Sequence, residues 1–270
     1  MEFLTDTPFA FLDTETTGLS PAYGDRVVEI AVLKARGGQI LDAFETLVNP
    51  ERPISPGATA IHGITDALVA SRPAFHRVAA PLNDFLRGSV VVAHNARFDV
   101  SFVSYEMRRA GVEPALGAVV DSLALARKHF HFPSNSLPNI AASLQIPLGT
   151  RHRAMPDVLI LKAVFELMLE PLARDGVLTL EQLIAAQGGP IAPPETSEGA
   201  LPPEIDEAMT SKKRLFVRYV GADGSRTERW VSPIHIEFLR DTVYLRGYCH
   251  LRNGERSFRL DRIVELRVEP

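Results

Sequence analysis

Residues 187–204 read QGGPIAPPETSEGALPPE, a run holding five prolines and three glycines with no apolar period. Proline lacks the amide donor that helices and sheets require, and glycine loses the most freedom on ordering, so this run belongs to neither kind of element. It reads as a linker dividing the 270-residue chain into residues 1–186 and residues 205–270. Two folded units also agree with a usual domain size of roughly 150 residues.

The two parts differ in pattern. Ahead of the linker, strand-like apolar runs at 9–12, 27–33, 40–48 and 90–93 are interspersed with helix-like segments at 74–86, 96–110, 137–144 and 154–169. That order predicts a mixed α/β fold. After the linker, 215–220, 227–231, 242–251 and 257–268 read as strands, with Ala222-Asp223-Gly224 and Asn253-Gly254 as hairpin turns. A mostly β unit of this size has a small core, and barrel closure or packing on the first unit would supplement it.

Composition narrows the class. Apolar residues make 46% of the chain and charged residues 23%, which excludes a disordered, collagen-like or disulfide-stapled protein. The apolar stretch at 154–172 is interrupted by Asp157, Lys162, Glu166 and Glu170, so no membrane helix is expected. The N-terminus lacks the basic and apolar regions of a secretory signal. A single cysteine, Cys249, fits a reducing cytoplasm. Residues 1–204 carry 16 Lys+Arg against 23 Asp+Glu, and residues 205–270 carry 13 against 10. The acidic part is still open to nucleic acid if its carboxylates hold divalent cations, because the ions reverse the field a phosphate meets.

Candidate metal ligands are scattered through the first part. Asp13 and Glu15 follow the run at 9–12 and, two apart on an extended backbone, point to one side where they can share a cation. A solvated strand end is the plain alternative. Thr16-Thr17-Gly18 follows as either a turn or a place for close ligand approach. Asp99 falls in the first turn of the helix after His94-Asn95, where an acidic residue also complements the helix dipole and Asn95 also serves as an N-cap. Pro156 is tolerated only in a first turn, so a helix begins near it, carries Asp157, and leaves His152 in the preceding loop.

In that order, FLDTETTG, HNARFD and H-x-x-x-x-D resemble the DEDDh class of 3'-to-5' exonucleases, related to the proofreading subunit of replicative DNA polymerase. The resemblance spans about residues 8–172 and includes AIHGIT at 60–65 and SNSLPNIAASLQIP at 134–147. It implies a ribonuclease H-like mixed sheet with flanking helices. It further implies that Asp13, Glu15, Asp99 and Asp157 hold two divalent cations, Mg2+ or Mn2+, with Asp13 bridging. His152 would take the proton of the attacking water, and the product would be a nucleoside 5'-monophosphate. Thr14, Thr16 and Gly18 would border the terminal nucleotide, with His62, Asn95 and Phe98 approaching its sugar, phosphate or base; core packing is the alternative for Phe98. Asp121 is expected to cap a helix, and Arg151 and Arg153 to steer phosphate or raise the local positive charge.

In the C-terminal part, alternation sets Val243, Leu245, Gly247, Cys249 and Leu251 on one face and Tyr244, Arg246, Tyr248 and His250 on the other. Aromatic and basic groups interleaved on a sheet suit a single nucleic-acid strand, as they also suit packing with solvated arginines. TVYLRGYCHLRNGERSFRLDRI resembles WYL domains, small Sm-like β-barrels of bacterial regulators that bind nucleic acid or other ligands, with Val243 in place of the tryptophan. Tyr244, Arg246, Tyr248, Arg256 and Arg259 are the candidate contacts. The expected activity is a metal-dependent exonuclease acting on single-stranded 3' ends, DNA ahead of RNA, with DNA repair or replication proteins as partners and no membrane. A regulatory nucleic-acid-binding protein and a polymerase-held proofreading factor are the alternatives.

Overall fold

The structure is a computed structural model that describes residues 3–148, 153–192, 202–221, 224–239 and 242–269. In chain order its elements are β1 (Phe9–Thr16), β2 (Val27–Arg36), β3 (Gln39–Leu47), α1 (Pro56–His62), α2 (Asp66–Val69), α3 (Phe75–Leu86), β4 (Val90–Ala93), α4 (Ala96–Arg109), β5 (Val119–Asp121), α5 (Ser122–His129), α6 (Leu137–Ser143), α7 (Ala154–Arg174) and α8 (Leu180–Gln187). There follow α9 (Pro203–Thr210), β6 (Leu215–Val220), β7 (Arg226–Leu239), β8 (Thr242–Cys249), β9 (Gly254–Arg259) and β10 (Ile263–Val268). They form two compact units, one of Met1–Glu15, Val27–Asn49 and Arg72–Glu195, the other of Thr16–Arg26, Pro50–Ser71 and Thr196–Pro270.

The first unit is built on a mixed sheet of order β3-β2-β1-β4-β5. Strands β1, β4 and β5 run parallel, and β2 pairs antiparallel with β3. Gly37 and Gly38 close that hairpin at φ 53° and 81°, a left-handed pair that side chains resist. Strand β1 is apolar on both faces: Phe9 and Phe11 enter one core with Phe165, Val164 and Met168 of α7, while Ala10 and Leu12 enter another with Phe75, Leu82, Phe102 and Met107. Phe165 meets Phe9 and Phe11 edge-on at 5.2 and 5.6 Å. Because β1, β4 and β5 are parallel, their C-terminal ends share one edge of the sheet, where open α/β sheets place their chemistry.

The second unit is an antiparallel sheet of order β10-β6-β7-β8-β9. Its core joins Ile205 and Ala208 of α9 to Leu215, Val217, Val231, Leu245, Cys249 and Phe258. Leu19 packs on this core, and α1 packs against β6, β10 and the 3-10 turn at Leu260–Arg262. Strand β7 continues to Leu239, past the expected end at 231, and takes Pro233 at a register shift where no ladder amide is needed. The stretch 257–268, expected as one strand, is broken by that 3-10 turn. On β8 the expected alternation holds from Leu245 to Cys249, but Leu251 lies beyond the strand end and is exposed. Among the described residues no helix is long and apolar enough to cross a membrane.

Candidate metal centre

Strand β1 delivers Asp13 and Glu15 at its C-terminal end, and the first turn of α7 delivers Asp157. One oxygen from each can be taken so that all three lie within 4.8 Å of one another. Asp99, in the first turn of α4, is buried beside them and accepts from the backbone N–H of Thr14 at 2.9 Å and from its hydroxyl at 2.7 Å, both on Oδ1. Desolvation raises the carboxyls: Asp13 well above its usual value, with repulsion from Asp99 and Glu15 adding, and Glu15 to about 8, with repulsion from Asp157 adding. Desolvation takes Asp99 to about 7 against the opposing bonds from Thr14. Acidic groups held this way favour a bound cation over separate negative charges, and an all-carboxylate oxygen set fits Mg2+ or Mn2+.

The start of α7 is fixed from outside the helix. Its N-cap residue, Arg153, makes no side-chain cap bond, and Pro156 falls where its missing amide is not required. Glu29 of β2 fills the gap by accepting from the Ala154 N–H at 2.9 Å. The same carboxylate takes Arg153 Nε at 3.0 Å on each oxygen and Nη2 at 2.6 Å. Arg153 is thus paired with Glu29 while its side chain stays 38% exposed. His152 and Arg151 lie outside the described residues.

After β4, Asn95 adopts φ 69° and donates its backbone N–H to Asp121 Oδ1 at 3.0 Å. It occupies the N-cap position of α4, as the capping alternative expects, without a side-chain cap bond. Asp121 Oδ1 also accepts from Leu123 N–H at 2.9 Å, capping α5 as expected. Phe98 is half-buried and tilts against Phe102 at 4.9 Å.

In the second unit, His62 closes α1 with its ring buried. Nδ1 accepts from Ile64 N–H at 2.9 Å, so the proton sits on Nε2, which faces the Thr16 carbonyl at 3.3 Å. The Thr16 hydroxyl donates to the Gly18 carbonyl at 2.5 Å. A Cβ on Gly18 would lie 2.4 Å from Asp25 Oδ2, so this glycine is required by its own neighbour whether or not a ligand approaches.

The C-terminal sheet of the same unit carries a polar cavity of about 500 Å3, lined in part by Tyr219, Arg229, Arg246, Arg252, Arg256 and Phe258. Arg229 stacks over the Tyr219 and Phe258 rings at 5.9 and 5.5 Å. The Nε atoms of Arg229 and Arg246 are buried without a hydrogen-bond partner among the described residues. Of the five contacts expected here, Arg246 and Arg256 line the cavity; Tyr244, Tyr248 and Arg259 are elsewhere on β8 and β9.

A family model described as Exonuclease matches residues 10–165. The chain belongs to this exonuclease family. A WYL domain model matches residues 201–268. The chain is 34% identical over 188 residues to a DNA polymerase III PolC-type protein of Bacillus cereus, covering 68% of this chain and 13% of that one. It is 36% identical over 186 residues to a DNA polymerase III subunit epsilon-like protein of Rhodobacter capsulatus, covering 65% and 26%. It thus spans about an eighth and a quarter of these relatives. A solved structure of exonuclease X in complex with 5' overhanging duplex DNA is 32% identical, with a TM-score of 0.52, covering 67% of this chain and 99% of that one. In this chain, Glu29, Arg229 and Arg252 are functional candidates that sequence reasoning passed over. The signal for Glu29 was one charge inside the apolar run VVEIAVL.

Proposed function

We propose that the protein is a metal-dependent 3'-to-5' exonuclease that shortens single-stranded DNA to nucleoside 5'-monophosphates in the cytoplasm. The observation that carries this is the meeting of Asp13, Glu15 and Asp157 within 4.8 Å, with Asp99 beside them. Two divalent cations, bound by these four carboxylates, would supply an activated water and neutralise the departing 3'-oxygen. Thr14 holds Asp99 through Oδ1, by its backbone N–H and its hydroxyl. The elevated carboxyl groups exchange their protons for cations on loading. His152 accepts the proton of the water. Thr14, Thr16, Gly18, His62, Asn95 and Phe98 border the terminal nucleotide, as the resemblance implies.

The C-terminal sheet, in this reading the Sm-like barrel of the WYL match, takes phosphates of the strand or of a regulatory ligand in its arginine-lined cavity. The arginines that line this cavity support the reading, since guanidinium groups pair with phosphate oxygens, although Glu255, which pairs with Arg246 at 3.3 Å, shares the lining. Residues 1–186 carry hydrolysis, 187–204 link, and 205–270 bind. A DNA polymerase is the partner that the relatives suggest.

Incubation of a 5'-labelled single strand with Mg2+ should give a ladder shortening from the 3' end, absent with EDTA. Asp13→Ala should reduce the rate by at least about a thousandfold, consistent with loss of metal-assisted catalysis worth several kcal/mol. Undiminished shortening by that variant, or in EDTA, would contradict the assignment.

A further inference from the structure

We propose that Glu29 is a positioning residue for catalysis, fixing the N-terminal turn of α7 and with it the direction in which Asp157 presents its carboxylate. The inference rests on the metal-dependent reading above. Glu29 is only 1% exposed, and a carboxylate so placed must be paired and hydrogen-bonded. Among the described residues, its carboxylate bonds to two consecutive residues, Arg153 and Ala154. The next helical bond, Asp157 N–H to the Arg153 carbonyl at 3.2 Å, transmits that placement directly to the metal-ligand residue. With Pro156 lacking an amide and Arg153 making no cap of its own, the Ala154 N–H is the point at which β2 holds this helix end.

Stability is a weak reason for this arrangement, because a well-packed apolar pair often replaces a buried ion pair without loss. The placement gives a better one. Strand β2 lies beside β1, which bears Asp13 and Glu15. A single carboxylate on β2 that holds the start of α7 therefore sets the spacing between ligands contributed by separate elements. Groups that orient metal ligands from behind typically change metal affinity or activity by about 10–100-fold when removed.

The test compares the full chain with Glu29→Gln, Glu29→Ala and Arg153→Ala. Mn2+ binding is measured by electron paramagnetic resonance without DNA, kcat and KM on a single-stranded oligonucleotide, and folding by thermal melting. Glu29→Gln, which retains an oxygen acceptor, should fold, bind Mn2+ about tenfold more weakly and lose about tenfold in kcat with KM within about twofold. Glu29→Ala should lose more. Arg153→Ala leaves the Ala154 cap in place and should lose less than Glu29→Ala. Mn2+ affinity and kcat within about twofold of the parent in both Glu29 variants would overturn the proposal, as would a rise in KM with kcat unchanged. Asp13→Ala run alongside separates the two ideas: if it too keeps Mn2+ binding and turnover, the metal-dependent reading fails; if it alone loses them, only the role of Glu29 fails.

Discussion

At the scale of single residues, the carboxyls of the candidate metal centre link pH to folding and, in the proposed reading, to cation uptake. Glu15 rises from 4.5 to about 8 and Asp99 from 3.8 to about 7, so the cation-free folded chain binds protons that the unfolded chain has released. Their contribution to stability is full below the ordinary carboxylate range and disappears as pH climbs through about 7 and 8. Melting in EDTA should therefore shift to lower temperature between pH 5 and pH 9 relative to Asp13→Ala, in which one of the repelling charges is gone. Excess Mn2+ should reverse the trend and release protons into a weakly buffered solution at pH 6.5. A cation-free melting temperature that rises across this window more steeply than in the variant would refute it. Asp13, Glu15, Asp99 and Asp157 were legible in the sequence because strand-end, helix-start and loop-helix patterns place them. Glu29 was not, since its partners lie 124 and 125 residues away, and periodicity carries no information about what a buried charge meets.

At the scale of elements, α7 has two roles, bearing Asp157 at its start and filling one face of the sheet with Phe165 further along. Phe165 is fully buried among Phe9, Phe11 and neighbouring aliphatic groups. Truncation to alanine should lower stability by about 3–5 kcal/mol, read from chemical denaturation, through lost burial and a residual cavity. A loss below about 1 kcal/mol would show that the core collapses around the site. Long strands and helices with clear apolar period, such as β2, α3, α4 and α7, were readable. Helices α8 and α9 were not. Gln187, assigned to the linker by its Gly-Gly-Pro neighbours, instead ends α8 and anchors it: its Oε1 accepts from Asp121 N–H at 2.8 Å and its Nε2 donates to the Val119 carbonyl at 3.0 Å. Strand β7 ran past its expected end because a bulge accommodates Pro233, and local sequence does not announce a bulge.

At the scale of the whole molecule, charge and connectivity matter most. The basic C-terminal residues should hold a labelled single strand in EDTA, with affinity falling steeply as salt rises. Arg246→Glu combined with Arg256→Glu should weaken that binding by tenfold or more and flatten its salt dependence, as measured by fluorescence anisotropy of the full chain. Equal affinity and equal slope would remove the cavity from the binding scheme. The grouping of the chain was not legible from composition. Segments 16–26 and 50–71, inside the exonuclease match, belong to the compact unit formed with the C-terminal sheet. Contacts that distant in sequence leave no local signature.

That grouping also orders events during synthesis. Leu19 and α1 leave the ribosome well before β6 and β10, against which α1 rests. At about 5–20 residues per second, a nascent chain waits on the order of ten seconds or more before these early segments meet their partners.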